Sequence, residues 1–92
     1  MSTLAQAVDT VIAAIKANDV STARNHVAND TLEWWAGAAF SQMVDVEKVE
    51  ESDGTGRARV AIYSDDGTVD IRWSNWKVDE YGDWFCESLA EA

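Results

Sequence analysis

Histidine and cysteine each occur once in this chain, so histidine-based proton transfer would have to use His26 and any thiol chemistry Cys86. His26 is the one candidate catalytic base, since imidazole changes charge near neutral pH without help from its surroundings; its competing role is that of a surface or helix-capping ring. Cys86 shares strand parity with Trp84 and is expected on an inner face, where a thiol is inert packing. Trp34, Trp35, Trp73 and Trp84 can wall a ligand pocket, because an indole offers stacking area and one donor. The same four residues can equally be the core of a small domain. Of the adjacent pair Trp34 and Trp35, one ring is expected to be exposed as a lid or contact.

Two further groups have the composition of recognition surfaces. Tyr63, Arg72, Trp76, Phe85 and Leu89, with Arg57 and Arg59, combine aromatics and arginines as protein interfaces do, and Arg57 is expected to stack on Trp76. Glu47, Glu50, Glu51 and Asp53 precede one turn, and Asp79, Glu80 and Asp83 surround another at the same end of a meander, which makes an acidic patch. Their spacing is not that of a calcium loop, and no glycine-rich phosphate loop or paired metal ligands are present. No metal or other cofactor is expected.

The elements that must position these residues are readable in outline. Ser2 or Thr3 can cap a helix whose apolar residues Leu4, Val8, Val11, Ile12 and Ile15 form one stripe, ended by Asn18 and Asp19. A second helix is expected from about Ser21 to Asn29. Residues 32–40 have no clean period and read as a short helix or an irregular lid. Residues 42–50 form a first strand, followed by a polar turn over 50–56. Next comes a hairpin, with residues 57–63 and 68–76 flanking the Asp66-Gly67 turn. A two-residue turn there would set Ile62 opposite Ile71 and Val60 opposite Trp73 on the buried face. Trp76 and Val78 disagree with that parity, so a bulge is expected near Ser74 and Asn75. Residues 83–89 form the last strand, with Trp84 and Cys86 on one face and Phe85 and Leu89 on the other. Short connections make the four strands an antiparallel meander, and its apolar face needs the helices as cover. The fold class is α+β, a roll of N-terminal helices on a curved four-stranded sheet.

Ninety-two residues, 47% of them hydrophobic, suffice for a single domain, 1–92. The net charge of −10 opposes binding to nucleic acid phosphates or to an anionic membrane surface. One cysteine cannot form an internal disulfide, no signal peptide is visible, and no run approaches a membrane span, so a cytoplasmic location is expected.

Residues 14–28, the Asp65-Asp66-Gly67 hairpin and the closing Asp79-Glu80-Tyr81-Gly82-Asp83-Trp84-Phe85-Cys86 resemble small members of the nuclear-transport-factor-2-like superfamily, whose fold is cystatin-like. Gly82-Asp83-Trp84 stands where that family opens its final strand with Gly-x-Trp. The chain departs from fuller members in its length and in lacking an obvious third helix. The resemblance implies a bent sheet around a helix and often a homodimer formed through the sheet. It implies no single activity, since the superfamily holds isomerases, dehydratases, adaptors and binding domains. The expected function is non-catalytic binding or protein interaction. The alternatives are a small isomerase or dehydratase using His26 in a tryptophan-lined pocket, and an acidic inhibitor that masks a basic protein.

Overall fold

Thr3 opens helix α1 (Leu4–Lys16) through a capping box: its hydroxyl accepts from the Gln6 N–H at 3.2 Å, and the Gln6 side chain accepts from the Thr3 N–H at 2.9 Å. Leu4, Val8, Val11 and Ile15 recur at helical spacing and all are buried. Asn18 turns the chain at φ 59°, a left-handed value that Asn tolerates. Asp19 then caps α2 (Val20–Arg24) by accepting from the Thr22 hydroxyl and N–H, contacts that hold its carboxyl below the usual range. The computed structural model, which describes residues 2–92, continues with α3 (Asn29–Ala36) and a 3-10 turn (Gly37–Phe40). Four strands follow: β1 (Ser41–Ser52), β2 (Thr55–Ser64), β3 (Val69–Val78) and β4 (Trp84–Glu91). They form one antiparallel sheet in chain order.

The second helix stops at Arg24 instead of reaching Asn29. The segment after it is needed elsewhere: the Cys86 N–H donates to the His26 carbonyl at 2.7 Å, and the Ala28 N–H donates to the Cys86 carbonyl at 2.8 Å. This short parallel bridge covers part of the exposed edge of β4. Asn29 then begins a third helix that the period of residues 32–40 did not announce.

The sequence contains two Asp-Gly pairs, and they make different turns. Asp53 and Gly54 both have positive φ, 51° and 77°, and join Ser52 directly to Thr55 in a two-residue hairpin. Asp65, Asp66 and Gly67 make a three-residue loop in which the Ser64 N–H donates to the Thr68 carbonyl at 2.9 Å and only Gly67 is left-handed, at φ 89°. The Asp66 carboxylate closes that loop by accepting from the Thr68 N–H and hydroxyl, which lowers its pKa. One extra loop residue slips the pairing by one, so Arg59 opposes Trp73 and Ala61 opposes Ile71. Every β3 side chain therefore points to the face opposite from the one the two-residue turn requires.

Bulges complete the rearrangement. Asn75 pairs with Ser88 while Trp76 pairs with Cys86, so the extra residue is Glu87 on β4, across from the expected site on β3. Phe85 is consequently on the outer face and Leu89 on the inner one. Two irregularities in β1, before Met43 and between Val46 and Lys48, keep Val44, Val46 and Val49 all toward the helices. The core holds these residues with Ala58, Val60, Ile62, Trp76, Trp84 and Cys86, against the stripe of α1 and Trp35 of α3. Inside it the Ser74 hydroxyl donates to the Ala58 carbonyl at 2.9 Å and accepts from the Trp76 indole at 2.7 Å.

Candidate functional site

Helix α3 crosses the inner face beyond the point where the core closes, and an open cleft of about 490 Å³ remains between its outer turns and β2, β3 and β4. Trp34, Ile62 and Leu89 supply apolar walls, Gly37 and Ser64 lie at the border, and Asp30, Glu33, Asp70 and Arg72 supply charge. Burial of Trp35 dictates that its neighbour Trp34 points away from the core centre, about 100° around a helix. The two rings meet edge-on, with centroids 5.1 Å apart and planes at 74°. The Arg72 guanidinium lies 5.8 Å from the Trp34 ring centre, and its Nε is 3.4 Å from an Asp70 oxygen. The Trp34 indole N–H is enclosed and has no acceptor among the described residues. A Cβ placed on Gly37 would meet no atom within 4 Å, so this wall has room for a side chain.

Of the four tryptophans expected to line a pocket, only Trp34 lines this cleft. Trp35 is fully enclosed and stacks edge-on with Trp76 as well, at 6.0 Å. Trp84 is buried and donates its indole N–H to the Ser2 carbonyl at 3.0 Å. Trp73 is on the outer face, where the one-residue slip puts it, under the Arg57 guanidinium at 4.0 Å. The outer-face set changes in the same way. Tyr63 and Phe85 are there, but Trp76 is a core residue, and Arg72 and Leu89 border the cleft. Arg57 accordingly stacks on Trp73 and not on Trp76. Asp30, Glu33 and Asp70 are charged cleft residues that sequence reasoning missed, and Arg72 was expected on the outer face; for Asp70 and Arg72 a signal existed. The signal was the glycine in third place after Ser64, which favours a three-residue loop and turns both side chains inward.

His26 does not line the cleft. It sits between α2 and α3 against the β4 edge, with Nδ1 3.4 Å from the Trp84 carbonyl. Cys86 is fully buried, and burial pushes its thiol up to about 11 despite partly offsetting contacts from Trp35, Ser88 and Thr31. The folded state keeps the proton that the unfolded chain releases near pH 9, so stability is full below pH 9 and falls as pH rises toward 11. About 2–3 kcal/mol should be lost across that window, at ~1.4 kcal/mol per unit. Urea unfolding of the protein and of Cys86→Ala from pH 8 to 11 checks this: the difference between their slopes should appear only above pH 9.

The acidic residues do not act as one patch. The first and third turns do lie side by side, since the Val78 N–H donates to the Gly54 carbonyl at 2.8 Å. Most of the carboxylates are already engaged, however. Glu47 pairs with Arg59 at 3.0 Å, and Glu50 with Arg57 at 3.2 Å and Lys48 at 3.5 Å, the Arg57 hydrogen bond chiefly lowering the Glu50 pKa. Glu51 points inward and accepts from the Leu4 N–H at 2.8 Å, which places a negative charge at the start of α1. Asp79 closes its own turn on the N–H groups of Tyr81 and Asp83. Asp53, Glu80 and Asp83 remain outward at that end, exposed. Among the described residues no three potential metal ligands come together, and no helix is long and apolar enough to cross a membrane.

Three helical segments packed into a four-stranded meander define a nuclear-transport-factor-2-like, cystatin-like α+β fold. A crystal structure from Campylobacter jejuni, of a protein proposed to be an NTF2-like transpeptidase, superposes with a TM-score of 0.61 over 94% of this chain and 99% of that chain, at 6% identity. That similarity is one of fold. No protein-family model and no curated sequence matches the chain.

Proposed function

We propose that this protein is a non-catalytic binding domain that takes a small ligand in the cleft between α3 and the sheet. The observation that carries this reading is the cleft's build: an indole wall, two aliphatic residues and four charged side chains around about 490 Å³, a volume suited to a small molecule. Catalysis draws less support. His26 stands apart from the cleft, and the one thiol is not an accessible nucleophile for transpeptidation, the activity proposed for the C. jejuni protein. Cys86 is enclosed and holds its proton to about pH 11. An acidic inhibitor role is weakened by the internal pairing of Glu47, Glu50 and Glu51.

On the outer face, Trp73, Tyr63 and Ile71 lie beside the half-exposed Met43 and Val69, and we assign a homodimer contact to that surface in a cytoplasmic protein. The cleft reading is tested by screening aromatic fragments and following the Trp34 indole resonance. Gly37→Leu fills open space and should abolish the perturbation while leaving the unfolding midpoint within experimental error. Fragments that bind equally to Gly37→Leu, or that never move Trp34, would refute it.

A further inference from the structure

We infer that the cleft selects a small organic cation: an ammonium or guanidinium head carried on a short apolar body. This rests on the cleft being the binding site and adds the ligand's chemical class. Three carboxylates, Asp30, Glu33 and Asp70, face one guanidinium, Arg72, so the lining carries an uncompensated negative charge. Trp34 lines the same cleft, and an indole attracts a cation more strongly than any other aromatic side chain does. The cleft already displays the contact in question. Arg72 holds a guanidinium over Trp34, but at 5.8 Å from the ring centre and drawn aside to Asp70, near the outer limit of such contacts. On the other face of the sheet the same residue types make a close pair, Arg57 over Trp73 at 4.0 Å. Trp34 is thus a cation platform that its internal partner only partly satisfies. Ile62 and Leu89 offer apolar surface for the ligand body. An anionic ligand would find one guanidinium, itself paired, among three carboxylates.

Arg72 is then a competitor of the ligand, and this yields a test with opposed signs. Benzyltrimethylammonium and phenethylammonium are titrated by calorimetry, with the Trp34 indole resonance followed in parallel; benzyl alcohol and benzoate serve as neutral and anionic matches. Both cations are expected to bind at least tenfold more tightly than the alcohol. Arg72→Gln should tighten them about threefold or more, Glu33→Gln and Asp70→Asn should each weaken them several-fold, and Gly37→Leu should remove binding. Benzoate binding at Trp34 in preference to the cations, weakened by Arg72→Gln, would overturn the inference and leave the cleft as the site. Cations that bind without moving Trp34, and unaffected by Gly37→Leu, would also overturn it, as attraction to the acidic surface in general. If none of the four compounds binds, the inference falls, and the fragment screen at Trp34 alone decides the cleft reading.

Discussion

Trp35→Ala should lower stability by about 3–5 kcal/mol, the range for removing a buried aromatic side chain. Trp35 is the largest fully enclosed side chain. It ties α3 to the sheet through its edge-on contact with Trp76 of β3, and it also meets its helix neighbour Trp34 edge-on. Its indole N–H meets no oxygen acceptor among the described residues, so truncation chiefly removes packing. For a domain of this size such a loss is a large share of a total of about 5–15 kcal/mol. Urea unfolding measures it, with the near-ultraviolet dichroism of the tryptophan cluster as a second probe. Trp34→Ala is the comparison, as its half-buried ring should cost less than half as much. Equal losses for the two variants would mean that α3 is not anchored through Trp35.

Gly56→Ala should cost about 2–3 kcal/mol, the upper part of the overpacking range, although it adds a single methyl group. A Cβ at this position would lie 2.5 Å from the Glu50 carbonyl oxygen and 2.5 Å from Cδ2 of Leu4. Here the glycine is required by close approach: the start of α1 rests directly on β2 at Gly56, and the carboxylate of Glu51, opposite it on β1, holds the Leu4 N–H. Leu4 could swing its methyl aside, but the Glu50 oxygen belongs to the neighbouring strand and moves only if the β1–β2 pairing moves. Relieving the first contact with Leu4→Ala should therefore fail to rescue Gly56→Ala in a double-mutant cycle. Full rescue would show that the side-chain contact alone sets the requirement.

The helix-on-meander plan was legible because α1 has an unbroken stripe and the strands are separated by strong turn residues. The inward face of β3 was not, and the reason is one residue of loop length. Ser52-Asp53-Gly54-Thr55 and Asp65-Asp66-Gly67-Thr68 look alike, yet the first is a two-residue turn and the second a three-residue loop. A strand alternates faces, so this single count exchanges Trp73 with Trp76 and brings Asp70 and Arg72 into the cleft. The bulge at Glu87 does the same to Leu89. For α3 the sequence left a short helix and an irregular lid both open, because Trp34, Trp35 and Ala36 are consecutive apolar residues; the ring left on the cleft breaks the stripe that a helix search relies on. His26 stood out in the sequence as the lone histidine; in the fold its backbone carbonyl accepts from the Cys86 N–H.

The indole of Trp84 holds the Ser2 carbonyl across 82 positions of chain, and Glu51 holds Leu4 across 47. Each hairpin of the sheet, by contrast, closes between neighbours. These two clasps order events in time. On a chain emerging at ~5–20 residues per second, α1 waits several seconds for the tryptophan that secures it. Its apolar stripe has no finished surface to rest on until then, and distant closures of this kind slow folding relative to local ones. The second of the two clasps at the start of α1 closes only with the last strand.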